Sequence, residues 1–390
     1  MKNWNSDKTK GLIAGAVLTV LVVLLIQQVA FRLPVSSSVK KPDSVAAYNK
    51  INEIMSYIDK GYLGEVDKEQ LADYMYYGLV SGLDDPYSTY YTKEEFEEIS
   101  RGRKGEYKGI GIAVSNREDG ALYISSVTEN GPADRAGVLE DDVILKINGE
   151  DFENATFAEA AEFIRGLEKD DVELTVLRGS AGETFVLSMK RENLESYSVS
   201  YGMPEEGIGY IYISSFTAVT AKQFAEARNA LEEQGMNSLI IDLRNNSGGL
   251  VTGVCDTLSN FIPEGDMLVY TENRDGDRRE DLSSGGEPFE IPVAILINEE
   301  TASAAEIFAG CVQDYGIGTL IGTVTYGKGV VQNTYPLSDG SVVKLTALRY
   351  FTPNGNNIHG VGITPDIEVE NTETEDLQYL KAVEVLTENL

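Results

Sequence analysis

The chain has 390 residues, with 63 acidic against 32 basic side chains, one histidine, two cysteines and one tryptophan. A formal charge of −31 repels phosphate backbones, and no Lys/Arg stripe makes a local exception, so nucleic acid is excluded as a partner. His359, Cys255 and Cys311 stand far apart, with none of the clustered His/Cys spacing that a zinc centre needs, so no metal site is expected. The length predicts two or three domains, and 42% hydrophobic content is enough to build real cores.

Residues 11–30 carry no charge and are mostly Leu, Val, Ile and Ala. At about 1.5 Å per residue they span roughly 30 Å, one hydrocarbon core. Lys2, Lys8 and Lys10 precede them against Asp7 alone, which keeps the N-terminus cytoplasmic. The expectation is a cytoplasmic tail at 1–10, a transmembrane signal anchor at 11–31 and a polar tether at 32–42, with the rest outside the cell membrane. A cleaved signal peptide is the rival reading, but the apolar run exceeds the usual 7–15 residues and Val29-Ala30-Phe31-Arg32 is a weak cleavage site. The acidity belongs to the exported part.

Apolar residues at 3- and 4-residue spacing predict helices from Asp43 to Ile58, after Asp67, and through Lys93–Ile99. Residues 43–104 thus read as a helical module, whose density of tyrosine suits homodimer contacts. From Gly105 the period changes to 2, with strands at Ile110–Val114, Ala121–Val127, Val143–Ile147, Val172–Leu177 and Thr184–Met189. Short helices at Pro132–Gly137 and Thr156–Arg165 complete a β-rich domain over 105–192. Strands then alternate with helices over 193–372, at Ile208–Ile213, Ala221–Glu233, Ser238–Leu243, Leu250–Phe261, Val293–Ile297 and Ala302–Tyr315, followed by a β-rich stretch from Gly329 to Val369. That alternation predicts an α/β core. A C-terminal helix closes the chain within 373–390.

Ser303 is the first candidate for chemistry. It opens a predicted helix after a strand, where free N–H groups such as that of Ala304 can stabilise an anion. Serine there is usually only a cap, and Thr301 is the better cap candidate. A nucleophilic serine needs a base, and the only histidine, His359, sits in a loop. Lysine serves if burial lowers its pKa toward 7–8. Lys328, in Thr325-Tyr326-Gly327-Lys328-Gly329-Val330-Val331-Gln332, has flanking glycines for close backbone packing and β-branched neighbours that bury. Gln332, four residues on, can orient an amine without adding charge. This is not a phosphate loop, because no Ser or Thr follows the lysine and the upstream glycine is missing.

The run from Ser238 to Leu250 ends a buried strand at Gly248-Gly249, which either simply makes a turn or supplies an oxyanion-hole donor worth about 3 kcal/mol. The loop Gly109-Ile110-Gly111-Ile112 lacks the context for a dinucleotide but can capture a peptide carboxylate while the peptide adds as a strand. Arg165 either lends charge there, contacts the α/β core or complements its helix dipole. A thiol enzyme using Cys255 or Cys311 lacks a partner base, and a disulfide between the two is open in an oxidising compartment.

Five motifs in order resemble the C-terminal processing peptidases, or tail-specific proteases: Gly82–Tyr90, the PDZ-like stretch from Gly109 to Gly149, Asp242–Gly249, Thr301–Glu306 and Gly327–Gln332. The runs Asp339–Gly355 and Gly362–Asp366 look like this family too. The resemblance covers nearly the whole exported chain. It implies a crotonase-like α/β protease core, a PDZ domain that reads apolar C-terminal tails of protein substrates, and serine catalysis without a cofactor. Carried over, Ser303 is the nucleophile, Lys328 the general base and Gln332 its orienter. Gly248 or Gly249 and Ala304 form the oxyanion hole, and Gly109, Ile110, Gly111, Ile112 and Arg165 hold the tail. Ser247 stands where the family commonly has proline, which leaves open which glycine donates. A catalytically silent PDZ scaffold or holdase on the same fold is the alternative.

Overall fold

The computed structural model describes residues 44–117, 119–179 and 182–388. The expected tail, anchor and tether lie outside them. Among the described residues no helix is long and apolar enough to cross a membrane. The chain divides between Leu71 and Ala72 into two compact units. In the first, the helix Ser44–Gly61 leaves Tyr48, Ile51, Ile54 and Tyr57 exposed. The helix Lys68–Ser81 begins at Asp67, whose carboxylate accepts the Glu69 and Gln70 N–H groups, a standard N-cap arrangement.

The stretch read as wholly helical is not. Residues Thr89–Tyr91 form a short strand, paired antiparallel with Val342–Phe351 in the register Thr89↔Lys344. Three residues are too few to show a period in sequence, and neighbouring helical patterns mask them. The helix Lys93–Arg103 follows, with a Thr92/Glu95 capping box.

The β-rich domain is an antiparallel sheet in the order Ile112–Asn116, Leu122–Val127, Val143–Ile147, Asp171–Arg178, Glu183–Lys190. Leu122, Ile124, Ile144, Ile147, Leu174 and Val176 are fully buried in its core, with helix Phe157–Arg165 packed beside it. The first strand starts two residues later than its apolar pattern suggests. Gly111 has φ +79°, a left-handed conformation that interrupts extended backbone. The chain enters and leaves the domain side by side, because Glu106–Gly109 pairs with Glu192–Glu195.

The α/β core holds a six-stranded sheet, Val199–Glu205, Ile208–Ile213, Ser238–Asp242, Val293–Ile297, Thr319–Gly322 and Ile367–Glu368, parallel after the first pair. Its strands read as unbroken apolar runs because both faces are covered. Leu239, Ile241, Ile295 and Ile297 pack toward Phe224, Val254 and Phe308 of the helices Thr220–Glu233, Val251–Leu258 and Ala304–Tyr315. Ile240, Ala294 and Leu296 face Ala382 and Leu386 of the C-terminal helix Leu377–Glu388. A second sheet gathers Thr89–Tyr91, Val330–Pro336, Val342–Phe351, Met267–Asn273 and Arg278–Leu282.

In the β-rich domain Asp142, only 1% exposed, takes both ends of the Arg178 guanidinium at 2.7 and 2.6 Å. Removing one partner of a buried pair strands the other charge. Arg178→Ala should therefore destabilise this domain by about 3 kcal/mol, read by urea unfolding. A change below about 0.5 kcal/mol, the level of a neutral surface substitution, would refute this account of the pair.

Candidate active site

Ser303 stands at the N-cap of the helix Ala304–Tyr315, with φ 56° and ψ −116°. A non-glycine residue keeps such a backbone only where its surroundings enforce it. The enforcing contacts are hydrogen bonds. The Ser303 N–H donates to Glu306 Oε2 at 2.8 Å, and its carbonyl oxygen accepts from the N–H groups of Glu306 and Ile307 and from the Tyr350 hydroxyl at 3.0 Å. Tyr350 is 1% exposed, and burial raises its pKa well above the ordinary phenol range, so it stays a donor. Thr301 is not the cap. Its buried hydroxyl donates to the Leu243 carbonyl and accepts from the Asn298 N–H, which bolts the loop across two strands.

Glu306 is fully buried and accepts four hydrogen bonds. Oε1 takes the Thr325 hydroxyl at 2.6 Å and the Gly327 N–H at 2.7 Å, while Oε2 takes the Ser303 N–H and the Lys328 N–H at 2.9 Å. One carboxylate oxygen thus holds the main chains of the serine and the lysine side by side. Sequence reading assigned no role to Glu306 or Tyr350. A glutamate three residues after a capping serine is the capping-box pattern, so the signal for Glu306 was present. Tyr350 had none, being far away in sequence and in a strand.

The glycines around Lys328 do what their placement suggests. A Cβ on Gly327 would stand 3.0 Å from the Gly362 nitrogen, and one on Gly329 would stand 2.6 Å from the His359 nitrogen. The loop therefore lies directly on the 359–362 backbone. Lys328 is half-buried, and its pKa is lowered, first by burial and then by Lys344, with Asp85 and Glu306 acting the other way. Its Nζ sits 4.7 Å from the centre of the Tyr87 ring and makes no hydrogen bond to Ser303 among the described residues. Gln332 Nε2 donates to Thr346 Oγ1 at 3.3 Å rather than to the lysine. The structure thus gathers the backbones of Ser303 and Lys328, and leaves the side chains of Ser303, Lys328 and Gln332 unjoined. His359 is exposed and lies beside Tyr87.

Gly248 presses against the serine, since a Cβ there would fall 2.8 Å from Ser303 Cβ and 2.9 Å from the Ala304 nitrogen, while Gly249 lies against the Phe216 backbone. The Gly248 N–H is already spent on Asn246 Oδ1 at 2.8 Å. That leaves the Gly249 and Ala304 N–H groups without an acceptor among the described residues, which is the requirement for an oxyanion hole.

In the β-rich domain Gly109, Ile110, Gly111, Ile112 and Arg165 all line one largely apolar groove of about 230 Å³, floored by Ile144 and Ala160. The strand Ile112–Asn116 is at the sheet edge beside it. Arg191, missed in the sequence, is buried behind this groove and donates to the carbonyls of Ile164, Arg165, Leu167 and Lys169, closing the C-terminal end of the helix Phe157–Arg165. The thiol readings fail. Cys255 and Cys311 are free and buried, and burial pushes Cys255 up to about 12 and Cys311 higher still, so neither is a thiolate or half of a disulfide.

A strained serine at a helix N-terminus, two N–H groups without an acceptor among the described residues and a lysine loop on one carboxylate make an arrangement chemically suited to acyl transfer. Residues 207–369 match the model of peptidase family S41, residues 98–177 that of the PDZ domain, and residues 12–95 that of the activating protease CtpB N-terminal domain. The carboxy-terminal processing protease CtpA of Bacillus subtilis (strain 168) is 34% identical over 335 residues, 86% of this chain and 72% of that protein. A "Probable CtpA-like serine protease" of Staphylococcus aureus (strain MSSA476) is 33% identical over 369 residues, 94% of this chain and 72% of that one. A solved S41 protease structure from Bacteroides fragilis NCTC 9343 shares the fold, with a TM-score of 0.53 at 17% identity over 90% of this chain and 99% of that one. The chain belongs to the C-terminal processing serine peptidases of family S41.

Glu306→Gln keeps the shape but turns an amide NH2 toward two of four donors. Each buried donor left unpaired costs about 1–3 kcal/mol, so unfolding should become easier by roughly 2–5 kcal/mol and peptidase activity should fall at least a hundredfold, about 3 kcal/mol in the barrier. Thermal melts and turnover measured together check this. Retained stability would remove Glu306 from the centre of the site.

Proposed function

We propose that the protein is a membrane-anchored endopeptidase that cleaves exported proteins near their C-termini through a Ser303/Lys328 dyad supported by Gln332. The apolar run at 11–30 and its flanking lysines support an anchor with the catalytic part outside the cytoplasmic membrane. The two parallel-sheet faces, covered by helices, support the crotonase-like reading of the core. The observation that carries the dyad is the shared Glu306 oxygen, which fixes Ser303 and Lys328 to one point.

In the reaction the neutral Lys328 amine takes the Ser303 Oγ proton as the oxygen attacks the scissile carbonyl. Charge then developing on the carbonyl oxygen is met by the Gly249 and Ala304 N–H groups, which need no reorganisation because the glycine turn and the helix start already aim them. The Lys328 ammonium returns its proton to the leaving amine, which departs with the C-terminal fragment. Water, deprotonated by the same lysine, attacks the acyl carbon, and the ammonium gives that proton to the departing Ser303 Oγ, which restores the hydroxyl and the free amine. Lys328 must first swing from Tyr87 toward Ser303, and Gln332 must exchange Thr346 for the amine.

The groove at Gly109–Ile112 suits an apolar tail that adds to the edge strand Ile112–Asn116, with its carboxylate on the glycine loop and Arg165 nearby. The exposed Tyr48, Ile51 and Ile54 stripe of the first helix supports a homodimer formed through this module.

Ser303→Ala and Lys328→Ala should each abolish cleavage of an unstructured protein with an apolar C-terminus, while His359→Ala should retain it. Survival of Lys328→Ala activity would sink the dyad. Only the neutral amine is a base, so kcat/KM should rise with pH through the lowered Lys328 pKa. The rising limb should lie below the ordinary lysine range near about 10.4, and a limb at that value would contradict a buried base. Replacing the substrate's last residue with Asp should weaken binding at least tenfold, about 1.4 kcal/mol, by equilibrium titration, and unchanged affinity would exclude the groove.

A further inference from the structure

The turn Asp85–Ser88 belongs to no step derived above, yet it reaches the catalytic centre. It is carried there by the strand Thr89–Tyr91, which pairs with Val342–Phe351. The Asp85 carboxylate accepts from the Tyr87 N–H at 3.1 Å and the Ser88 hydroxyl at 2.5 Å, which fixes the turn. Ser88 Oγ in turn accepts the Thr346 N–H at 2.9 Å and ties the turn to the sheet. The Tyr87 ring presented by this turn stands 6.5 Å from the His359 ring. Its face carries Lys328 Nζ at 4.7 Å from the centroid.

A half-buried ammonium with no hydrogen-bond acceptor of its own needs some partner for its charge, and an aromatic face is one. The attraction is specific to the charged form, because the ring quadrupole acts on a cation and hardly at all on a neutral amine. We propose that Tyr87 is a positioning residue for the Ser303/Lys328 reaction: its ring face is the seat that holds the Lys328 ammonium between proton transfers and releases the neutral amine toward Ser303. This rests on the reading of Lys328 as the base. The other charged groups that bear on Lys328 are Asp85 and Glu306, which favour the ammonium, and Lys344 and Arg103, which oppose it. Lys344, the strongest of these, donates from its Nζ to the Tyr91 hydroxyl at 2.9 Å. Neither carboxylate makes an ion pair with Lys328 among the described residues, so the ring is the direct contact.

The test uses the full chain with position 87 changed from Tyr to Phe, and then to mono-, di- and trifluorinated phenylalanine by codon suppression. Fluorine drains the face of the ring while nearly keeping its shape, so packing is preserved across the series. The acidic limb of the kcat/KM profile should move to lower pH in graded steps, by roughly half a pH unit from Phe to trifluoro-Phe. The unsubstituted Phe variant should keep the parent limb. A limb that stays fixed across the series, or moves equally for Phe, overturns the seat, because a merely structural ring would lower activity at every pH alike. Lys328→Ala in parallel separates the two claims. If it remains active the dyad falls and the seat with it; if it is inactive while the fluorine series is flat, only the role of Tyr87 falls.

Discussion

Glu306 is where the site is assembled. A buried carboxylate is tolerated only when its oxygens are hydrogen-bonded, and here four donors from two separate segments meet that need. Ser303 comes from the loop after Val293–Ile297, and Thr325, Gly327 and Lys328 come from the loop after Thr319–Gly322. These strands are neighbours in the parallel sheet, so their loops emerge at the same end, where open α/β sheets place their sites. Burying Glu306 forces the two loops together, and the strained Ser303 backbone is one result. The Tyr350 hydroxyl completes the clamp from the second sheet.

The glycine turn beside Ser303 is built by exclusion rather than by charge. A Cβ on Gly249 would lie 2.1 Å from the Phe216 carbonyl oxygen, so only glycine allows the turn to lie against that strand end. Asn246, fully buried, takes the Gly248 N–H and donates to the Ile213 carbonyl. It pins the turn, and the next N–H, that of Gly249, has no acceptor among the described residues. The rigidity that Ser247 does not supply is therefore provided by the asparagine.

The buried strands of the core were the most legible part of the sequence. Ile208–Ile213 and Val293–Ile297 stand where their apolar runs put them, because both sheet faces are covered and the signal is continuous. The motifs that singled out Ser303, Lys328 and the glycine turn fall on segments that the fold brings together. What sequence could not give were relations between distant segments. The pairing of Thr89–Tyr91 with Val342–Phe351 joins residues some 250 positions apart, and with the Thr346 N–H bond to Ser88 it brings Tyr87 to Lys328. Thr301 was misread as a cap because propensity ranks it as one, whereas its hydroxyl is claimed by the Leu243 carbonyl of a neighbouring strand. Gln332 illustrates the opposite limit: its spacing from Lys328 is right, but its amide has a competing partner in Thr346.

The chain's acidity bears on the proposed base, Lys328, as well as on its partners. A lysine works as a base only if its neutral form is accessible, and a carboxylate in direct contact would hold the ammonium strongly. With 63 acidic residues available, keeping them off Lys328 is a structural requirement. The two carboxylates that act on it are hydrogen-bonded to neutral donors, Glu306 to four groups and Asp85 to the Tyr87 N–H and the Ser88 hydroxyl. The adjoining cavity of about 500 Å³ presents Arg274, Arg349 and His359 against Glu272 alone. What lowers the Lys328 pKa is burial first and Lys344 second, and the direct contact of its ammonium is a neutral ring. Burial favours the free amine and the ring favours the ammonium, and neither fixes the proton as firmly as an ion pair would. A base that must accept and return a proton in one cycle needs that balance.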